Sequence, residues 1–542
     1  MKYKIALVFI IIAAFFLRFF QLGTNPPSLT WDEVALGYNA YSLGIDLRDE
    51  FGTFLPLASL ESFGDYKPPV YAYLDIFPIK LFGLTSFAVR FPSAFLGVMT
   101  VLLTYFLTLR IFYRSDNKKL YALCSMLVLA LSPWHIMLSR AAFEANVATF
   151  FIVLGVYTFL TAVQGRKWMI LLSAVSFVLA MYSFNSARII VPLLVFALSC
   201  LCLRPLLKDK RQTIIAGVLG LVMILPLVAF LRSPQAGIRF QEVNIFSDLS
   251  LVEYSNQSIA NDDNAVWSKL IHNHRVVYGL AFLQHYLDHF NPNFLFITGD
   301  VNPKFSTHDL GQLYLWELPF LVVGLLFLFR KREGYWWVIP LWLVIGIIPA
   351  GTAKETPHAL RMEAVLPTLQ LIVGYGLVSS FGIIASLRSS LIRKVILSAS
   401  CLVLVISVFY FQYGYFKHYS SRFSKDWQYG YEELINVINE NKFAQTIVFD
   451  SGHLGRPYIY YLFYNKVDPR DFRQTMDVTR DNFGFVDVKG FGEYRFTRKI
   501  GSEVKSSNNI YVGSPKDVPE NSKVLKKIKT LDGLDTLVVY TY

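Results

Sequence analysis

Charge is scarce in this sequence: Asp, Glu, Lys and Arg make up 17% of its 542 residues, against 54% hydrophobic residues and a mean hydropathy of +0.42. Soluble globular chains carry about a quarter charged residues, so the shortfall excludes that class and points to a polytopic membrane protein. Cysteine is equally sparse. Cys124, Cys200, Cys202 and Cys401 all lie inside apolar stretches, which excludes a disulfide framework for any water-exposed part. The short basic connections contain no glycine-rich phosphate loop and have no room for a nucleotide-binding domain. Internal repeats are absent too, which argues against the paired halves common in transporters. The formal charge, 51 basic minus 39 acidic residues or +12, would suggest nucleic acid in a soluble protein. Here the Lys and Arg stand at the ends of apolar runs, so the excess reads as topology and no nucleic-acid partner is expected.

What the chain does have is long apolar runs. About 20 apolar residues cross roughly 30 Å of hydrocarbon, and by that criterion about eleven helices are expected, near 4–20, 87–112, 120–138, 143–163, 168–184, 189–204, 213–231, 312–330, 335–350, 362–382 and 395–415. The opening MKYKIALVFIIIAAFFLRFFQLG lacks a small-x-small cleavage site and reads as an uncleaved first span. Aromatic residues, at 16%, suit lipid-facing and interfacial positions. One alternating set of connections is rich in Lys and Arg (Arg110/Arg114/Lys118/Lys119, Arg204/Lys208/Lys210/Arg211, Arg330/Lys331/Arg332), the other poor. By the positive-inside rule the N-terminus is cytoplasmic, and an odd number of spans puts the C-terminus outside. The expected layout is a membrane domain, 1–415, with extracytoplasmic loops 21–86 and 232–311, followed by an extracytoplasmic domain, 416–542. YEELINVINENK and PYIYYLFYNK read there as helices, and TIVFD, NIYVGS, SKVLKKIKTL and DTLVVYTY as strands, giving a small α/β fold that acts as a lid or docking domain.

Candidate chemistry sits at the outer ends of the spans. Asp32 and Glu33 follow the first span, after a Thr30 able to cap a helix. A carboxylate at a membrane surface is costly unless paired or used, although an acidic pair also complements a helix dipole. Adjacent residues on a helix point about 100° apart, so one can face a site while the other holds it. Asp65, Tyr66 and Lys67 precede two prolines that fix the backbone. An ammonium held there suits a lipid-anchored phosphate, or else snorkels to the interface. Arg140, Glu144, Arg188, His358 and Arg361 fall on the same expected side. Arginines there suit an anionic oxygen cluster; each also serves as an interfacial anchor or internal ion pair. His285 and His289 lie at i, i+4, but Tyr286 occupies the position a metalloprotease gives to Glu, so the expected reading is a histidine face on an interfacial helix.

Arg18, PPSLTWDE, DYKPPVYAYL, FAVRFPSAFLGVMTVLLTYFL, SRAAFEANVATF and HALRMEAVLP together resemble the GT-C membrane glycosyltransferases, in particular the group of protein O-mannosyltransferases and aminoarabinose transferases. The resemblance covers roughly the first 200 residues, and the later spans by topology alone. It implies an α-helical polytopic membrane protein of GT-C fold in the cell (plasma or inner) membrane. It also implies inverting transfer of a sugar from an undecaprenyl- or dolichyl-phosphate donor outside the cytoplasm. Asp32 would be the general base and Glu33 its structural neighbour, with Lys67, joined by Arg361 or Arg188, binding the carrier phosphate. Asp65, Tyr66, Arg140, Glu144 and His358 complete the expected substrate site. The acceptor stays open among protein, lipid and glycan; no cofactor is called for, and a divalent metal is left open. The oligosaccharyltransferase branch fits less well, because Trp336-Trp337 is followed by Val338 rather than aspartate. A transporter or flippase of lipid-linked saccharides is the competing expectation.

Overall fold

In the computed structural model the described residues are 2–63, 65–237, 244–441, 444–480, 486–498, 500 and 505–542. All eleven expected apolar segments contain helix. The described helices include Lys2–Phe19, Ser86–Ile111, Glu144–Val163, Met169–Met181, Ala187–Leu201, Lys210–Leu231, Glu317–Lys331, Val338–Gly351, Thr368–Ala385 and Ser390–Tyr413. The remaining segment is two helices, Lys118–Leu131 and Pro133–Arg140, bent by 57°. Proline has no N–H to donate and is tolerated in a first helical turn, so Pro133 ends one helix and starts the next. Among the described residues, five helices are long and apolar enough to cross a membrane by length and composition, or six with the bent pair counted as one. Part of the expected 232–311 loop, 238–243, lies outside the described residues.

The chain divides into two compact units, each discontinuous in sequence: Met1–Arg18, Phe95–Ser139 and Glu144–Phe411 in one, Phe19–Ala94, Arg140–Phe143 and Gln412–Tyr542 in the other. The first unit holds most of the apolar helices. Arg18, wholly buried, donates to the carbonyls of Leu129 (3.3 Å) and Ala130 (3.2 Å) and shares a 2.6 Å hydrogen bond with His135 Nδ1. Those carbonyls belong to the last turn before the bend, where backbone acceptors outnumber donors. A guanidinium supplies donors and complements the helix C-terminus.

In the second unit, among the described residues, seven strands form one sheet in the order β4-β5-β6-β3-β7-β9-β8. They are β3 (Thr446–Asp450), β4 (Asp477–Arg480), β5 (Val486–Phe491), β6 (Tyr494–Thr497), β7 (Asn509–Gly513), β8 (Lys523–Lys529) and β9 (Asp535–Thr541). β3 runs parallel to β6 and β7; the other pairings are antiparallel. The helices Tyr431–Glu440 and Pro457–Tyr464 stand where the sequence placed them, as do β3, β7, β8 and β9. Strands β4 to β6 were not foreseen, nor was the short hairpin β1 (Leu60–Ser62) and β2 (Asp65–Lys67), which pairs Leu60 with Lys67.

The same unit contains the helices Trp31–Asp46 and Val70–Phe82. Trp31–Asp46 packs against the C-terminal segment at Gly37, where a Cβ would lie 2.5 Å from Val89 Cγ2 and 2.9 Å from the Phe463 ring. Only glycine permits that approach without displacement. Tyr38 Oη donates to the Val467 carbonyl at 3.1 Å, and the Trp31 N–H to Gln428 Oε1 at 3.0 Å.

Candidate active site

The centre of the second unit is the first turn of the Trp31–Asp46 helix. Thr30 caps it with a reciprocal box: its hydroxyl accepts from the Glu33 N–H at 3.4 Å, and Glu33 Oε2 accepts from the Thr30 N–H at 3.0 Å. Glu33 Oε1 also accepts from Arg90 Nε and from the Ala142 N–H, both at 2.9 Å. Arg90 in turn donates to the carbonyls of Leu22 (3.2 Å) and Pro26 (2.8 Å) and lies over the Trp427 ring at 5.6 Å. Glu33 and Arg90 are both about fully buried. This carboxylate is occupied by tying its own helix start to Arg90 and Ala142, and that fixes the orientation of its neighbour.

Asp32 points away from that anchor and keeps 57% of its side chain exposed. Its carboxylate accepts from the ammonium of Lys67, whose side chain is only 7% exposed. Lys67 ends β2, lies 5.2 Å from the Phe63 ring centre, and has Pro68 behind it. Arg456 stands over the same ring at 5.7 Å. Two cations therefore lie within cation–π distance of one aromatic ring.

Behind Lys67 lies a buried acid that the sequence did not signal. Glu50 Oε1 accepts from Asn39 Nδ2 at 3.1 Å, Oε2 from Tyr458 Oη at 3.3 Å, and the Glu50 N–H donates to Asn39 Oδ1 at 2.8 Å. Burial pushes its carboxyl up to about 8, against the lowering effect of hydrogen bonds from Asn39 and Ser62. The loop carrying Arg456 is held close to Trp31 by Gly455, at φ +73°, where a Cβ would lie 2.6 Å from the indole.

Of the other expected site residues, Tyr66 donates to Glu61 at 3.3 Å, and Glu61 pairs with Arg480 at 2.5 Å. Asp65 opens β2. Arg140 donates to the Asn25 carbonyl at 2.7 Å and lies over the rings of Phe416 (4.9 Å) and Tyr415 (5.5 Å). Asp32, Glu33, Asp65, Tyr66, Lys67 and Arg140 thus share the second unit.

Glu144, Arg188, His358 and Arg361 belong to the first unit. Glu144 starts a helix, and Arg188 Nε donates to the Met181 carbonyl at 3.3 Å. His358 caps the turn Ala359–Met362, its N–H donating to His289 Nε2 at 3.2 Å. Burial lowers both imidazoles, His289 to about 4 and His358 to about 3, with the positive charge of Arg361 adding to the effect on His358. Asp300 accepts from the N–H groups of Ala359 (2.6 Å) and Asn302 (2.8 Å), and burial raises it to about 6. His289 is therefore a neutral imidazole built into a hydrogen-bonded cluster. His285 joins it to the 351–361 loop through a 2.8 Å contact with the Ala353 carbonyl.

Arg90, Glu50 and Arg456 are the residues that sequence reasoning missed. Arg90 had a signal, a lone charge inside the apolar stretch FAVRFPSAF. Glu50 and Arg456 had none: Glu50 is closed in by Tyr458 and Arg456 meets Phe63, each a contact between distant parts of the chain.

The fold is similar to that of solved structures. The crystal structure of ArnT from Cupriavidus metallidurans in the apo state superposes with a TM-score of 0.56 at 11% identity, over 99% of this chain and 98% of that one. The same enzyme bound to undecaprenyl phosphate gives 0.55 at 12% identity, over 98% and 97%. Residues 8–232 match the family model of dolichyl-phosphate-mannose-protein mannosyltransferase. An uncharacterised protein of Aquifex aeolicus (strain VF5) is 40% identical over 91 residues, and the match spans 17% of each chain.

Proposed function

We propose that this protein is an inverting glycosyltransferase that moves a sugar from a polyprenyl-phosphate donor to an acceptor hydroxyl outside the cytoplasm, with Asp32 as general base. The observation that carries this reading is the pairing of an exposed carboxylate, Asp32, with a buried ammonium, Lys67, in a chain of ArnT-like fold. ArnT has been crystallised with undecaprenyl phosphate, the donor class assigned here by analogy of fold.

In the donor-free chain, Lys67 and Asp32 neutralise each other. An arriving phosphate competes for Lys67, with Arg456 as a second cation on the Phe63 ring. Drawing the ammonium toward phosphate removes the positive charge that depresses the basicity of Asp32, so donor binding itself readies the base. The acceptor oxygen then attacks the anomeric carbon from the face opposite the phosphate. Asp32 takes the hydroxyl proton, the bond from anomeric carbon to phosphate oxygen breaks, and its electron pair leaves on the carrier phosphate, where the cations stabilise it. Glu33 positions Asp32 without touching substrate.

The N-terminus is assigned to the cytoplasm and the unit holding Asp32 to the outer face of the cell membrane, on the charge pattern of the connections. The acceptor class is protein, lipid or glycan. The test is sugar transfer in membranes supplied with a polyprenyl-phosphate hexose. Asp32→Asn should abolish turnover while donor binding persists, and full turnover in that variant would remove Asp32 from the mechanism. Movement of lipid-linked sugar across liposomes without a new glycosidic bond would favour a flippase instead.

A further inference from the structure

Strands β3 and β7 are parallel neighbours, with Phe449 opposite Val512, so their carboxyl ends leave the sheet side by side. In open α/β sheets this edge is where ligands bind. Asp450 is the last residue of β3, His453 follows three positions on, and Asp517 lies in the turn after β7. His453 Nδ1 lies 2.9 Å from Asp450 Oδ2 and 3.2 Å from Asp517 Oδ2, and one ligand atom from each residue falls within 4.8 Å of the others. Ligands about 2.0–2.2 Å from a shared metal ion stand roughly 3 Å apart, and the imidazole nitrogen already stands at about that spacing from each carboxylate.

A second, independent observation concerns Tyr540 on β9. Its side chain is fully buried, its hydroxyl has no hydrogen-bond partner among the described residues, and the phenol lies within electrostatic reach of both Asp450 and Asp517. A buried hydroxyl left unpaired costs about 1–3 kcal/mol. A water held beside it by a cation would satisfy it.

We propose that Asp450, His453 and Asp517 form a binding site for a divalent cation of Zn2+ or Mn2+ type. Two carboxylates and one imidazole suit these ions better than Ca2+ or Mg2+, which favour all-oxygen shells. Three protein ligands leave positions for water, and Tyr540 accepts a hydrogen bond from one such water. The bound ion ties the segment after β3 to the turn after β7. That segment also carries Gly455 and Arg456, so the ion would stiffen the loop that presents Arg456 to Phe63.

The experiment uses full-length, tag-free protein in detergent, stripped with a chelator and then titrated with Zn2+ by calorimetry and with Mn2+ by electron paramagnetic resonance. His453 is 62% exposed, so His453→Ala should fold normally, and Asp517→Asn tests a second ligand. Wild type should take up one saturable equivalent that each variant binds at least tenfold more weakly, roughly ten- to a hundredfold being typical even for outer-shell losses. Tyr540→Phe should weaken binding without abolishing it. Absence of a saturable equivalent in wild type, or unchanged affinity in both His453→Ala and Asp517→Asn, would overturn the site. Metal uptake is read without any transfer assay, so its failure is separable from failure of the Asp32 mechanism.

Discussion

Removing the Arg90 side chain tests whether Glu33 is an anchor. Arg90→Met leaves a carboxylate buried with its N–H donors but without its cation, and frees the carbonyls of Leu22 and Pro26. Breaking one partner out of a buried pair typically costs about 3–5 kcal/mol, far more than a surface pair is worth. With 0% and 1% of their side chains exposed, Arg90 and Glu33 fall in the buried class. Arg90→Lys should recover little, since an ammonium cannot span Glu33 and two carbonyls at once. The assay is denaturant titration of the detergent-solubilised protein, followed by protease susceptibility near Trp31. The double variant Arg90→Met with Glu33→Met removes both charges, and should be less destabilised than the sum of the single variants. Wild-type stability in Arg90→Met, or strict additivity in the double variant, would refute the reasoning.

Lys67→Met should lower turnover on a polyprenyl-phosphate donor by about a hundredfold or more, the scale of losing one preorganised charge on a leaving group; near-normal kcat would exclude it from the phosphate site. Glu50 titrates at about 8 when folded and near 4.5 in its ordinary state. The unfolded chain therefore holds fewer protons between those values, and stability falls as pH rises through that window. Glu50→Gln should gain on wild type from about pH 4.5 to about pH 8 and level off above, as read from melting curves across pH; a constant gap would count against the buried acid. Gly455→Val should destabilise the loop by about 1–3 kcal/mol, through both its positive φ and the Trp31 ring, and shift tryptophan emission. Unchanged emission would mean the two are not packed.

The periodic and compositional features were legible. Eleven apolar runs each became helix, and Thr30, read as able to cap a helix, does so in the structure. The short strands β4 to β6 were hidden because DVTR and YRFT are too brief and polar to stand out from loop. Helical geometry alone said that the two acidic side chains diverge, and the structure turns Glu33 inward and Asp32 outward. Their surroundings were not legible. Ala142, Arg90, Gln428 and Tyr460 reach the start of that helix from distant positions in the chain, and no local pattern encodes such a meeting. For the arginines, sequence gave position without role: Arg140 serves a carbonyl and two rings, and Arg188 a carbonyl.

The second unit is assembled from three separate stretches, 19–94, 140–143 and 412–542. During synthesis the N-terminal part emerges first, so Trp31 and Glu33 wait through the making of hundreds of residues before Gln428 and Tyr460 exist to close around them. A nascent chain halted after its last long helix would hold Asp32 on an unfinished scaffold. The start of the helix that carries Asp32 is therefore completed only when the final segment has arrived.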